Sequence, residues 1–237
     1  MLSRNRGKVA SDDRLFGDPI MQQKLKDAVQ DMSYLLSRGF AEKSSLQLVG
    51  NRYLLNVRQQ KALLGMSASQ EHVTIRNKRT VKPENIDNKV VVIDGFNLLI
   101  TIESALSGAY LFKGIDGFYR DVSGVHGTYK RVQKTEEAIL LVGNILKKLG
   151  ADTVLWYFDA PVSNSGRLKT RLYELAAQYQ FPWEIYLVNN PDKELSKSNH
   201  IVVSSDAWIL NKAKQNFNLG AYLIENIISN INIVYAE

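Results

Sequence analysis

The sequence contains no cysteine among its 237 residues, which excludes disulfides and thiolate metal sites and agrees with a reducing compartment. It has no run of about 18 or more apolar residues, so no membrane span is expected. The opening stretch, MLSRNRGKVASDDRLF, lacks the apolar core of a secretory signal. A cytoplasmic protein is therefore expected. Internal repeats and low-complexity tracts are absent. So are GxxxxGK[ST] and GxGxxG, which argues against the common nucleotide-binding enzymes.

What is present is an ordinary globular composition, 45% hydrophobic and 23% charged, enough to bury a core without staples. The net charge of +6 is unevenly spread. Residues 1–89 carry 16 Lys/Arg against 9 Asp/Glu, whereas residues 90–237 carry 14 against 15. A basic first part beside a nearly neutral second part points to an anionic partner such as RNA, set against a merely solvated surface.

Residues 1–18 are polar and read as a flexible arm. Residues 19–70 read as a basic helical domain. Leu25, Ala28, Val29, Met32, Leu35 and Leu36 recur at helical spacing, with Gly39 as a stop. KSSLQLV (43–49), capped by Ser44 or Ser45, predicts a second helix, and NVRQQKALL (56–64), capped by Asn56, a third. Residues 71–88 read as a polar linker, with a short strand at His72–Ile75. In the helical domain Arg38, Lys43, Arg52, Arg58 and Lys61 are candidate RNA contacts, and Tyr53 and Tyr129 are candidates for base stacking, Tyr53 equally a core residue.

The pattern changes at residue 89. VVVID (90–94) is a continuous apolar run ending in an acid, as in a strand buried on both faces. Gly95 allows a tight turn into a helix over 96–105. Residues 107–133 are glycine-rich and predict a long loop or hairpin. Helices are predicted at 136–149, 166–178 and 208–215, and strands at 153–158, 184–188, 201–203 and 221–224. Such alternation predicts an α/β domain over 89–237 with a parallel sheet and right-handed crossovers.

Three strands end in acids: Asp94, Asp159 and Asp206. Parallel strands bring such ends to one rim, where open α/β sheets bind ligands. Three carboxylates on one rim repel one another, and a hard divalent cation, Mg2+ or Mn2+, relieves that repulsion best. Helix capping is the competing role for each acid taken singly, for Asp206 above all. Asp192 is a further carboxylate that a Pro-Asp turn explains equally well. In the long loop, Arg120, Asp121, His126 and Arg131 are candidate substrate contacts. Arg167, Lys169 and Arg171 open a helix and suggest a phosphate clamp, although Arg171 and Glu174 also have ordinary i,i+3 spacing.

VVVIDGFNLL (90–99), YFDAPVSNSGRLKTRL (157–172) and VVSSDAWIL (202–210) resemble the PIN-like nuclease superfamily, including its NYN and flap-nuclease branches. With the N-terminal segment, the chain resembles an archaeal and bacterial family of uncharacterised PIN-like proteins. The resemblance implies a Rossmann-like, three-layer α/β domain preceded by a small all-helical domain. It also implies that Asp94, Asp159 and Asp206 are catalytic metal ligands, with Asn97 and Ser205 orienting them. The sequence departs from that pattern at Trp208, where an acid commonly lies. The usual mid-domain glutamate has only Glu103, Glu136 and Glu137 as candidates. Asp94-Gly95-Phe96 lacks the DxD of a phosphatase of the haloacid dehalogenase type.

The leading expectation is a metal-dependent endoribonuclease. The alternatives are an RNA-binding module without catalysis and a phosphohydrolase acting on small nucleotides. No motif specifies an oligomeric state, and a homodimer stays open.

Overall fold

The computed structural model describes residues 6–123 and 129–237. Asp18 accepts a hydrogen bond from the Ile20 N–H and Pro19 takes the first helical position, so α1 runs Pro19–Ser37. Its buried stripe is Leu25, Ala28, Val29 and Met32, and Gly39 follows it at φ +80°. Helix α2 spans Glu42–Arg52 with Ala41 at its N-cap, so neither Ser44 nor Ser45 caps it. Helix α3 spans Val57–Met66 and begins with a reciprocal capping box between Asn56 and Gln59.

The expected linker is in part a fourth helix, α4, over Gln70–Arg79. The strand predicted at His72–Ile75 does not form. Ser69 accepts from the His72 N–H and Glu71 sits in the first turn, while Arg76, Lys78 and Arg79 lie in the last turn. The arm is also anchored over its described part. Phe16 is fully buried against Phe112, and Asp12 pairs with Arg58 at 2.6 Å.

The α/β unit contains β1 (Val90–Asp94), α5 (Gly95–Leu106), β2 (Tyr110–Lys113), β3 (Tyr119–Arg120) and α6 (Thr135–Lys148). It continues with β4 (Thr153–Asp159), α7 (Ser165–Tyr179), β5 (Trp183–Val188), α8 (Pro191–Lys197), β6 (Ile201–Val203), α9 (Ala207–Lys212), α10 (Leu219–Asn226) and β7 (Asn232–Tyr235). The main sheet has the order β5-β4-β1-β6 and is parallel throughout. The chain winds outward from β1 through β4 to β5, then crosses back to place β6 on the other side. The order therefore reverses between β1 and β6, the switch point at which such sheets form a ligand crevice.

Helices α5, α6, α7 and α10 pack on one face, around Val91, Ile93, Trp156 and Val203. On the other face α8 and α9 cover Val92 and Val202 through Leu195 and Ile209. Strand β1 is thus covered on both faces, as its unbroken apolar run predicts. Strand β4 instead alternates, with Val154, Trp156 and Phe158 buried and Leu155 and Tyr157 half-buried. The short helix α8 leaves that part of the second face open.

A second sheet, β3-β2-β7, accounts for part of the glycine-rich stretch. Strands β2 and β3 form an antiparallel hairpin, and β7 joins β2 in parallel. The strand predicted at 221–224 is instead part of α10, capped by Asn218. The helical unit lies on this second sheet. Leu25, Met32, Leu63 and Met66 share one core with Phe112, Val122 and Val234.

Gly95 serves a close approach. A Cβ there would lie 2.2 Å from Cε1 of Phe158, which fixes how near α5 sits to β4. Gly95→Ala is expected to lower stability by about 1–3 kcal/mol through overpacking. Urea unfolding checks this, and an unchanged midpoint would mean that Phe158 moves aside freely.

Candidate functional site

The switch point puts the end of β1 beside the turn after β6. Asp94, 8% exposed, accepts a 2.8 Å hydrogen bond on Oδ2 from the Ser204 hydroxyl. Asn97, in the first turn of α5, accepts on Oδ1 from the Ser205 N–H at 2.9 Å and from its hydroxyl at 3.0 Å. The two residues expected to orient the site therefore bind each other and clamp the two strand ends together.

Asp206 follows directly. Its Oδ1 accepts from the Trp208 and Ile209 N–H groups, so it caps α9. Asp192 enters from the first turn of α8. Burial pushes the Asp94 carboxyl up to about 7, and the negative charges of Asp192 and Asp206 add to the rise. Asp192 is also raised, by burial and then by Asp206 and Asp159. Burial raises Asp159 too. Asp94 and Asp192 thus each sit within reach of other acids along the rim. Among the described residues, however, no group of three or more acidic or histidine side chains is close enough to enclose a metal ion together.

A cleft of about 720 Å³ opens beside this rim, between the helical unit and the α/β unit. Asn97, Ser205 and Asp206 line it from the sheet side, and Lys61, His72 and Arg76 from the helices. Asp116 organises one wall. It is 4% exposed and accepts from Arg76 Nη1 at 2.5 Å and from Arg120 Nη2 at 2.7 Å. The two cations hold its carboxyl down at about 2 against the opposing effect of burial. Arg76 also donates to Asn211, and Arg120 to the Gly65 and Ser205 carbonyls. Two guanidinium groups share one carboxylate, and in the cleft lining Lys61, Arg76 and Arg120 are balanced by Glu42, Asp121 and Asp206.

Of the loop candidates, Arg120 and Asp121 line the cleft. Arg131 does not, and His126 lies outside the described residues. The phosphate clamp is not assembled: Arg171 pairs with Glu136 and Glu174, Lys169 lies over the Tyr173 ring, and Arg167 is exposed elsewhere. Of the five basic candidates in the helical unit, only Lys61 lines the cleft. Arg58 anchors Asp12, Arg52 lies near Asp31, and Arg38 and Lys43 face solvent.

Tyr129 cannot stack on a base, because it is fully buried and donates to Glu103. Tyr53 donates to Asp31. Glu103, a candidate for the mid-domain glutamate, is fully buried and held by Arg6, Tyr129 and Thr135. Glu137 pairs with Lys134. Sequence reasoning missed His72, Arg76 and Phe40 as cleft residues. Two intact helix ends, the Ser69 cap and the Gly39 stop, mark where they lie.

Among the described residues no helix is long and apolar enough to cross a membrane. Residues 24–79 match a family described as Protein of unknown function (DUF434), and residues 83–222 one described as Domain of unknown function (DUF5616). The division between them falls just after α4. A relative from Methanocaldococcus jannaschii, described as an uncharacterized protein, is 31% identical over 186 residues, covering 78% of this chain and 88% of its own length. No solved structure matches. The chain therefore belongs to the DUF5616 family, with a segment similar to the DUF434 family ahead of the matched region.

Proposed function

We propose that the protein is a metal-dependent ribonuclease of the PIN-like kind, acting in the cleft between the two units. The observation that carries this reading is Asp94: a buried acid at the sheet's switch point, close enough to Asp192 and Asp206 for their charges to raise its carboxyl further. The donor chemistry fits Mg2+ or Mn2+. Mg2+ keeps several waters and is held by one or two carboxylates together with substrate phosphates, so it needs no closed protein cage. Asp94 would hold it, with Asp206, Asp192 and Asp159 along the rim. When bound, it would supply Lewis acidity and lower the pKa of water.

The chain's own groups have separable parts in this reading. Arg76 and Arg120, bound to Asp116, brace the cleft wall beside Ser205. Asn97 and Ser205 keep the two strand ends in register. Asp94 would be held ionised by the cation, which offsets the burial that raises its carboxyl in the metal-free protein.

The test is cleavage of single-stranded and structured RNA in Mn2+. Asp94→Asn is expected to lose at least about a hundredfold in rate. Equal rates in the two proteins would overturn the reading. The capping of α9 by Asp206 favours one alternative, a binding module without catalysis. That alternative gives salt-dependent RNA binding and no cleavage in either protein.

A further inference from the structure

Arg120 on β3 joins the helical unit to the rim. Its side chain is 13% exposed. Nε donates to the Ser205 carbonyl at 2.8 Å, and Nη1 to the Gly65 carbonyl of α3 at 2.8 Å. Nη1 and Nη2 also donate to Asp116, at 2.9 and 2.7 Å. Four of the five guanidinium N–H groups are thus engaged, and Arg76 of α4 holds Asp116 from the other side. Glycines give the guanidinium its space. A Cβ at Gly114 would lie 2.8 Å from Arg120 Nη1, and one at Gly65 3.3 Å from Arg120 Cδ.

The Ser205 carbonyl and the Asp206 N–H belong to one peptide group. Arg120 holds the carbonyl, and the N–H donates to the Ser204 hydroxyl at 3.0 Å. That hydroxyl donates in turn to Asp94 Oδ2. A peptide group is planar, so fixing its carbonyl also fixes the direction of its N–H. We infer that Arg120 is a positioning residue: it sets the plane of the 205–206 peptide, which aims the Ser204 hydroxyl at Asp94. Through the Gly65 carbonyl and Arg76, that aim depends on the docked helical unit. The helical segment thereby has a task at the site that its surface cations do not perform. This role rests on the proposed reading for its bearing on a metal, whereas the contacts themselves do not. Loss of a group that orients a metal's ligands weakens metal affinity by about 10- to 100-fold.

The test uses two variants of the whole chain. Arg120→Lys keeps a charge beside Asp116 and loses the fork that also reaches the two carbonyls. Gly65→Ala favours the helix and presses on Arg120 from the helical side. Amide exchange of the Asp206 N–H is read by NMR in EDTA, with the Val92 N–H of β1 as the reference for general loosening. Arg120→Lys is expected to speed exchange at Asp206 about tenfold more than at Val92, and Gly65→Ala to do so in the same sense but less. An unchanged Asp206 rate in Arg120→Lys, or equal acceleration at both amides, would overturn the inference. Acceleration in Arg120→Lys with none in Gly65→Ala would overturn the part given to the helical unit.

A Mn2+ titration followed by electron paramagnetic resonance is expected to show binding about tenfold weaker in Arg120→Lys. The hydrolytic reading fails separately. If the wild type neither binds Mn2+ nor cleaves RNA, that reading falls, and selective exchange at Asp206 still supports the positioning role. If the wild type cleaves RNA and exchange is unselective, the enzyme stands and the positioning role falls.

Discussion

Asp94→Asn is expected to make the metal-free protein more stable at pH 8 and, on the proposed reading, to abolish RNA cleavage. The carboxyl is 8% exposed, and burial, with Asp192 and Asp206 near by, raises its pKa from 3.8 to about 7. A group raised on folding contributes its full share of stability below its unfolded pKa and loses it as pH climbs through the folded value. The wild type should therefore weaken from about pH 4 up to and beyond pH 7. Asparagine stays neutral and can still accept from Ser204. The advantage of Asp94→Asn should be small at pH 4 and reach at most about 4 kcal/mol at pH 8. Urea unfolding in EDTA at the two pH values measures it. A variant weaker than wild type at pH 8 would refute the burial argument. Added Mg2+ should stabilise the wild type and leave Asp94→Asn unchanged, since a ligand of the folded state alone raises its stability. A buried charge that weakens the fold is what a trade-off between stability and function leaves at a working site.

Asp116→Ala should cost about 3–5 kcal/mol, the range for removing one partner of a buried ion pair. Its effect is large because the carboxylate answers two arginines, one of which, Arg76, is itself only 2% exposed. The Phe118 N–H also donates to Asp116 and would lose that acceptor. Asp116 titrates in the opposite sense to Asp94. Its pKa is depressed to about 2, so its contribution is present above the unfolded value near 4 and is lost as the pH falls toward 2. The wild type and Asp116→Ala should therefore converge in stability under acid conditions. Chemical denaturation at pH 7 and pH 3 tests both statements. A difference below about 1 kcal/mol at pH 7 would show that Asn211 and the neighbouring carbonyls already satisfy the arginines.

The strands that carry the site were legible because β1, β4 and β6 are short apolar runs closed by an acid or by Ser-Ser-Asp. The α3 helix was legible through Asn56, whose capping box needs only local contacts. Helix α4 was not. Its one buried residue is Arg76, so it has no apolar stripe, and its signals are a Ser69 cap and Glu71 alone. Arg76 reads as a solvated charge until its partner is known, and that partner lies 40 residues downstream. AYLI in α10 is a short apolar run in which strand and helix patterns coincide; the Asn218 cap decides between them. Strand β7 forms through pairing with β2, more than a hundred residues earlier. At the site, Asp94 lay where the pattern put it. The switch point beside it depends on strand order, which no local pattern encodes. Trp208 drew notice only as a missing acid, because its 45% exposure in the cleft wall is a property of packing.

The core shared by the helical unit and the second sheet has a thermodynamic consequence for ligands. Phe112 and Val234 are covered by Leu25 and Met32, so the two units cannot swing apart without exposing apolar surface to water. The cost of ordering the cleft walls is met when the chain folds. An incoming ligand gives up its own freedom and little of the protein's, which is the advantage of a preorganised receptor. The same rigidity sets a limit: a ligand too broad for the gap between the two units meets a wall that cannot yield.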